Sequence, residues 1–286
     1  MNAQFWLIQA FNGISYGALL FLIGSGLSLI FGVMRIVNLA HGSYFLLGGY
    51  IALSVISATG SWALSLPVAA VVVAIIGLVM ERVFLRPLGF DPLRQVLLTV
   101  GFAYLFQQAA LDIWGGNNMD INPPDVLQQS IIVGGVYFPL YRLFMIGTAV
   151  VIGMGLWLAM EKTRLGAAVR ATVDDAQMAS GVGIDTNRIS MIIFGLGAFL
   201  AALGGVIGGG FLGVYPGLDF EMLPLAFAVV IIGGMGSLGG AAIGALAVGL
   251  TDNFGKALFP EVSYFTLYAP MVLILAIKPT GLFGRD

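Results

Sequence analysis

The 286-residue sequence contains no cysteine and a single histidine. Without cysteine there can be no disulfide and no thiolate metal site. Charged residues make up only 9% of the chain and hydrophobic residues 59%, whereas a soluble globular domain carries about 25% charged residues. The formal net charge of −2 lacks the basic excess that a nucleic-acid-binding protein uses. These shortages predict a membrane protein with no nucleic-acid partner.

Signatures of enzymes and nucleotide-binding proteins are also missing. The sequence has no GxxxxGK[ST] phosphate loop and no HExxH metalloprotease motif. The single histidine, His41, has no second metal ligand close to it in the sequence. We therefore expect that this chain is not an enzyme and binds no metal or cofactor itself.

Apolar segments of the length that crosses a bilayer, about 20 residues, dominate the chain. Glycine is also abundant, at 41 residues, which is typical of closely packed membrane helices. We predict an all-α polytopic membrane protein whose single transmembrane domain covers residues 1–286. Its seven expected full crossings are Phe5–Phe31, Leu39–Ile56, Trp62–Met80, Val96–Trp114, Leu143–Met160, Ile189–Phe211 and Val262–Ile277.

An eighth apolar segment, Leu223–Leu250, is interrupted by the glycine-rich run GGMGSLGG. Cytoplasmic loops are enriched in Lys and Arg, which places the N-terminus outside, loop 161–188 in the cytoplasm and the acidic loop 115–141 outside. If the eighth segment turns at its glycines and returns, the basic C-terminal tail is cytoplasmic too. We therefore favour a re-entrant pair of broken helices. The alternative is one long, tilted helix with a glycine face.

The cytoplasmic loop contains the pattern of a short, well-delimited helix. Asp174 is predicted to be its N-cap, with Gln177 as the capping-box partner three residues later. Val173 and Met178 would form a hydrophobic staple, and Gly181 would provide a left-handed stop. A helix of about two turns is marginal in water. We expect it to dock in a groove of another protein, although it could also be a capped helix that only decorates the loop.

Two polar residues, Asn38 and His41, lie between the first two apolar windows. Polar groups inside a membrane domain can mark a translocation pathway. They can equally tie helices together as structural hydrogen-bonding groups. The sequence leaves both interpretations open.

Several motifs coincide with one known family. They are GLSLIFGVMRIVNLAHGSYFLLGGY at Gly26–Tyr50, ERVFLRPL at Glu81–Leu88, the loop Arg164–Arg188, VIIGGMGSLGGAAIGAL at Val230–Leu246, and the closing KPTGLFGR. Over nearly its whole length, the sequence resembles the LivH/LivM-type permeases of ABC importers for branched-chain amino acids. It is most similar to the LivH side of that family.

The resemblance implies a permease subunit in a prokaryotic cytoplasmic (inner) membrane. Its expected partners are a homologous LivM-like permease, two cytoplasmic LivG/LivF-like ATPases that use ATP and magnesium, and an external substrate-binding protein. The expected substrate is a branched-chain amino acid, although family substrates also include urea, short amides and other amino acids. The expected ATPase-coupling residues are Arg170, Asp174, Asp175, Ala176, Gln177, Met178 and Gly181. The expected pathway residues are Asn38, His41, Gly233, Gly234, Gly236, Gly239 and Gly240.

A second interpretation is an ion-coupled or passive carrier of a small polar solute that works without an ATPase. Ion-driven carriers usually have ionisable residues deep in a membrane helix. The middle of the apolar windows is uncharged in the sequence. This pattern argues against ion coupling.

Overall fold

The computed structural model describes residues 3–89 and 91–284. These residues form eleven α-helices, and most of the apolar windows predicted from the sequence coincide with one helix each. The helices are α1 (Ala3–Met34), α2 (His41–Thr59), α3 (Trp62–Val79), α4 (Pro92–Trp114), α5 (Leu140–Lys162), α6 (Arg164–Asp174), α7 (Ala176–Gly181), α8 (Thr186–Leu212), α9 (Leu218–Gly233), α10 (Leu238–Leu258) and α11 (Ser263–Ile277).

Six helices are long and apolar enough to cross a membrane, namely α1, α2, α3, α4, α5 and α8. Helix α3 continues through a π turn at Met80–Leu85 and a 3-10 turn at Arg86–Leu88. The seventh predicted crossing corresponds to α11, which has only 15 residues and contains Pro270. At 1.5 Å per residue it is about 22 Å long, less than the roughly 30 Å hydrocarbon thickness of a bilayer. Helix α11 is therefore too short for the expected seventh full crossing.

Helices α1 and α8 form the centre of the bundle. Large side chains of α1, such as Leu22 and Ile23, are completely buried. Glycines allow the two helices to approach closely: a Cβ added at Gly26 would lie 2.6 Å from the carbonyl oxygen of Gly197. Such contacts between small residues hold membrane helices together where no hydrophobic effect operates between them.

Helices α9 and α10 form an antiparallel hairpin around the glycine-rich run. The chain reverses between Gly234 and Ser237, and Gly234 and Gly236 have positive φ values of 99° and 81°. A Cβ added at Gly233 would overlap the carbonyl oxygen of Gly240, and a Cβ added at Gly244 would overlap the carbonyl oxygen of Val229. The predicted reversal is therefore present, and the alternative of one long helix is wrong. The turn lies at one end of the bundle and not part-way along it, however, because Gly236 packs against Gly32 near the end of α1.

A small β-hairpin in the loop between α4 and α5 is absent from the all-α prediction. Strands β1 (Ser130–Val133) and β2 (Val136–Pro139) pair antiparallel. The turn residues Gly134 and Gly135 have φ values of 60° and 79°, as a tight two-residue hairpin turn requires. The Gly-Gly pair between β-branched residues was the signal for this hairpin in the sequence.

Candidate functional site

The α6–α7 segment lies where the sequence predicted a coupling helix, but its N-cap is Asp175, not Asp174. Oδ1 of Asp175 accepts hydrogen bonds from the backbone N–H groups of Gln177 and Met178, at 2.9 Å each. Helix α6 includes Asp174 as its last residue, because the backbone N–H of Asp175 still donates a helical hydrogen bond to the carbonyl oxygen of Ala171. Moving the cap by one residue places Gln177 and Met178 at the second and third helical positions. The predicted capping box and hydrophobic staple are therefore wrong.

The C-terminal stop of α7 is Gly183 rather than Gly181. Gly183 has a φ of +91°, and its N–H bonds to the carbonyl oxygen of Ser180 at 3.0 Å. The N–H of Ile184 bonds to the carbonyl oxygen of Ala179, also at 3.0 Å. These two bonds form a Schellman motif. Gly181 lies inside the last helical turn, so a left-handed stop at that residue is wrong.

The two ends of α7 fix a short rod with one open side. Ala179 is buried, whereas Met178 and the following Val182 are 68% and 73% exposed. A Cβ added at Gly181 would meet no atom of the described residues within 4 Å. The rod therefore presents an apolar, sterically free surface at one end of the bundle.

Arg170 connects α6 to the end of α5. Its guanidinium group donates to the carbonyl oxygen of Met160 and lies 3.9 Å from the carboxylate of Glu161. This predicted coupling residue therefore does not project outward with α7. It joins α6 to a membrane helix and gives the short rod a mechanical connection to the bundle.

A cavity of about 820 Å³ separates α6 from the glycine turn. It brings together two regions that the sequence predicted separately, the coupling segment and the glycine break. Residues within 279–284 form a further wall. Its lining includes Arg35 at the end of α1, Trp157 and Glu161 on α5, Val173 and Asp174 on α6, Gly236 and Gly239 at the turn, and Phe283 near the C-terminus.

The C-terminal segment is attached to the end of α9. The N–H groups of Leu282 and Phe283 donate to the carbonyl oxygens of Ile232 and Gly233, each at 3.0 Å. These carbonyls belong to the last turn of α9, where helical partners run out. Leu282 and Phe283 of the closing motif thus cap α9 and fix the glycine turn at this end of the molecule.

The connection between α1 and α2 carries irregular backbone into the interior. Arg35 has a φ of +54° at the end of α1, and the chain then returns to His41, whose Nε2 donates to the carbonyl oxygen of Ile23 at 2.9 Å. Because a carbonyl only accepts, Nε2 carries the proton. Ile23 lies about three turns before the end of α1, roughly 16 Å along its axis. Irregular backbone at such depth requires burial in protein or contact with water.

Asn38 and His41 both lie in this connection and are fully buried. Oδ1 of Asn38 accepts from the N–H of Ala40 at 3.1 Å. Nδ2 of Asn38 and Nδ1 of His41 have no hydrogen-bond partner among the described residues. Each predicted pathway residue therefore combines a structural contact with one unpaired polar atom.

Asp219 is a buried acidic residue that the sequence analysis did not single out. It is 2% exposed, and its Oδ2 accepts from Oγ of Ser43 at 3.0 Å. An added Cβ at Gly42 would overlap the carbonyl oxygen of Asp219, so α2 and α9 touch here. The two hydrogen-bonded residues are 176 positions apart, and no local pattern in the sequence indicates their contact.

The opposite end of the bundle is organised around its own polar contacts. Tyr215, in the loop between α8 and α9, donates to Oε2 of Glu221 at 2.8 Å. Burial and this carboxylate raise the pKa of the Tyr215 hydroxyl to about 12, so it remains a donor at neutral pH. Arg142 lies over the ring of Phe211, 5.1 Å from its centroid. These contacts fix the loop that leads into α9.

Comparison with known proteins identifies the family. Residues 9–275 match the model described as branched-chain amino acid transport system / permease component. The chain belongs to this family. The resemblance inferred from its motifs is thereby confirmed.

Relatives of this permease family match the chain from end to end. The high-affinity branched-chain amino acid transport system permease protein LivH of Escherichia coli K12 is 32% identical over 306 residues, covering 100% of this chain and 98% of LivH. BraD of Pseudomonas aeruginosa, which has the same description, is 30% identical over 297 residues, covering 98% of this chain and 96% of BraD. A probable LivH of Methanocaldococcus jannaschii is 27% identical, covering 96% and 91%. No solved structure matches the chain.

Membership in the permease family agrees with the architecture. The described part of the chain has six apolar helices of membrane-crossing length, and its relatives are named as transport permeases. It is therefore a multi-pass membrane permease component.

Proposed function

We propose that this chain is a transmembrane subunit of an ATP-driven ABC importer for branched-chain or related amino acids. It forms the translocation path together with a LivM-like permease. Two cytoplasmic LivG/LivF-like ATPases use ATP and magnesium to drive it, and an external binding protein delivers the substrate. The observation that carries this proposal is α7, a rod capped at both ends that leaves Met178 exposed.

The α6–α7 segment explains how an external motor acts on the bundle. When the ATPases change nucleotide state, a groove that holds α7 moves it relative to the membrane helices. Arg170 passes this movement to the end of α5, and the cavity beside α6 leaves space for displacement. The coupling is the difference in binding free energy of α7 between the two ATPase states.

The test uses Met178→Glu and Gly181→Leu in the reconstituted importer. Both positions are free in the isolated chain, so folding and membrane insertion should persist. A charge or added bulk in the docking groove should reduce leucine uptake per ATP hydrolysed by roughly tenfold, equivalent to about 1.4 kcal/mol of lost coupling.

Val126→Glu is the matched control, because Val126 is 69% exposed in the loop between α4 and α5. Normal coupling in both α7 variants would refute the role of α7. Leucine uptake by the purified chain alone in liposomes, without ATPases, would instead identify an ion-coupled or passive carrier.

The pathway assignment remains part of the proposal. The buried, unpaired atoms of Asn38 and His41 beside irregular backbone support a pathway that opens at the α1–α2 connection. The glycine turn is the second part of the chain that moves during transport, because it borders the cavity next to α6. Its residues are Gly233, Gly234, Gly236, Gly239 and Gly240. Uptake by a His41→Gln variant tests the first of these assignments.

A further inference from the structure

Helix α4 is less well covered by the rest of the chain than any other long apolar helix. Only 17% of its most apolar window is buried, compared with 83% for α1 and 78% for α8. The corresponding values for α3 and α5 are 33% and 22%. These three helices therefore contribute much of the surface that faces lipid or other subunits.

The exposed faces of α3 and α5 are suited to lipid. Apart from Trp157 on α5, their large exposed side chains are aliphatic or thioether groups, which hydrocarbon accommodates without unsatisfied hydrogen-bonding groups. The strongly exposed members are Val71, Val72, Ile75 and Val79 on α3, and Val150, Val151, Met154 and Leu158 on α5.

The exposed face of α4 has a different chemistry. Leu97, Gly101, Tyr104, Gln108 and Asp112 recur every three or four residues and are all exposed, so they form one stripe along the helix. Tyr104 is 59% exposed. Nε2 of Gln108 donates to Oδ1 of Asp112 at 2.8 Å.

Gln108 lies well inside the length of α4 and not at its end. Helix α4 has 23 residues and is about 34 Å long, slightly more than the roughly 30 Å hydrocarbon core. Gln108 lies about 9 Å inside its end at Trp114. A carboxamide exposed to hydrocarbon at this depth is unfavourable, so a surface that offers hydrogen bonds or water should cover the stripe.

Gly101 gives the same surface a notch. An added Cβ would meet no atom within 4 Å among residues 3–89 and 91–284. Small residues at such positions allow another membrane helix to approach closely. Gly147 and Gly155 on α5 are equally open, so it is the polar stripe beside Gly101 that distinguishes α4. Tyr104 also packs against Phe220 of α9, with ring centroids 5.4 Å apart, so the face extends to the beginning of α9.

We propose that the α4 face, defined as residues 97–112, is the surface on which the second permease of the importer packs. This inference rests on the proposed function, because it assumes that the translocation unit contains two permeases. Contact with the second chain removes Tyr104 and Gln108 from lipid and fills the notch at Gly101.

The charge on the face favours a different chain over a second copy of this one. Around a twofold axis, the same surface meets itself. If such an axis runs parallel to α4 and close to it, Asp112 of one copy would face Asp112 of the other copy at the same height. Like charges brought together across an interface are strongly unfavourable. The partner should instead carry Lys, Arg or another N–H donor opposite Asp112.

Photocrosslinking in the assembled importer tests the location. The photoreactive residue p-benzoyl-phenylalanine is placed at position 104 on α4 or at position 151 on α5, with the companion permease tagged for identification. Position 104 should give an adduct with that permease, and position 151 should give lipid adducts only. The proposal would be overturned by an adduct with the companion permease from position 151 alone, by lipid adducts alone at position 104, or by an adduct at position 104 that joins two copies of this chain.

A matched glycine pair provides an independent measurement. Gly101→Leu on α4 and Gly147→Leu on α5 both add bulk at exposed positions with no neighbour within 4 Å in the described chain. Each variant should therefore fold, but Gly101→Leu should reduce the copurified companion permease at least fivefold, while Gly147→Leu leaves it unchanged.

Equal recovery of the companion permease with both variants would refute the α4 surface. If the wild-type importer still transports in that case, the proposed function stands without this inference. If no second permease or ATPase copurifies with the wild-type chain, both fail.

Discussion

His41 is held by a backbone contact on one side of its ring and unpaired on the other. Nε2 donates to the carbonyl oxygen of Ile23, whereas Nδ1 has no partner among the described residues. A purely structural histidine needs only the first of these contacts. A pathway residue also needs the second nitrogen, which can accept a hydrogen bond from water or substrate when the interior opens.

His41→Gln separates these two roles. A glutamine amide can still donate to Ile23, so the thermal midpoint of the detergent-solubilised complex should change little. Loss of the ring nitrogen should reduce the leucine uptake rate on the order of tenfold, or about 1.4 kcal/mol. His41→Leu is the companion variant, which removes both interactions and should reduce stability as well. Because glutamine also offers an acceptor oxygen, the refuting outcome is wild-type uptake per folded permease by both His41→Gln and His41→Leu, which would show that the ring only ties α1 to α2.

The adjacent residues Asp174 and Asp175 show a limit of residue-level prediction. Either aspartate is a good N-cap, and the sequence around them does not specify where α6 ends. The structure decides, because α6 includes Asp174 and leaves Asp175 with extended backbone, a φ of −154°. Only that conformation aims the carboxylate at the N–H groups of Gln177 and Met178.

At the scale of elements, the α9–α10 hairpin depends on contact between glycines. Gly233 and Gly240 face each other so closely that a Cβ on either would overlap the other's carbonyl oxygen. Neither has positive φ, so packing and not backbone conformation requires glycine there. The sequence predicted the reversal from the glycine run, but it could not distinguish packing glycines from turn glycines.

Gly233→Ala should force the two helices of the hairpin apart. Overpacking of this kind destabilises a protein by about 1–3 kcal/mol, and the thermal midpoint of the solubilised chain should fall accordingly. Gly239→Ala is the matched control, since a Cβ there meets no described atom within 4 Å. Equal midpoints for the two variants would show that the hairpin tolerates separation at this contact.

At the scale of the whole molecule, polar elements separate to the two ends of the bundle. The α6–α7 segment, the glycine turn and residues 279–284 gather around one cavity. The β-hairpin loop leads into the opposite end of α5. We propose that the first end lies in the cytoplasm, where α7 is accessible to an ATPase, and that the β-hairpin loop lies on the external side.

Cysteine labelling tests this orientation without background, because the sequence has no native cysteine. Val182→Cys and Val126→Cys replace residues that are 73% and 69% exposed. A membrane-impermeant maleimide should label Val126→Cys in intact cells and Val182→Cys only in inside-out vesicles. Labelling of both positions from the same side would contradict the arrangement.

The sequence by itself determined the membrane class, six of the helices and the family, because hydropathy, helix length and motifs are properties of consecutive residues. The tertiary structure decided which aspartate caps α7, how deep the glycine turn lies, and that Asp219 is buried against Ser43. Those features depend on contacts between distant residues: the Asp219–Ser43 bond joins positions 176 apart, and the level of the turn is set where Gly236 meets Gly32. Local patterns carry no record of such contacts, because close packing between helices fixes them only when the bundle assembles.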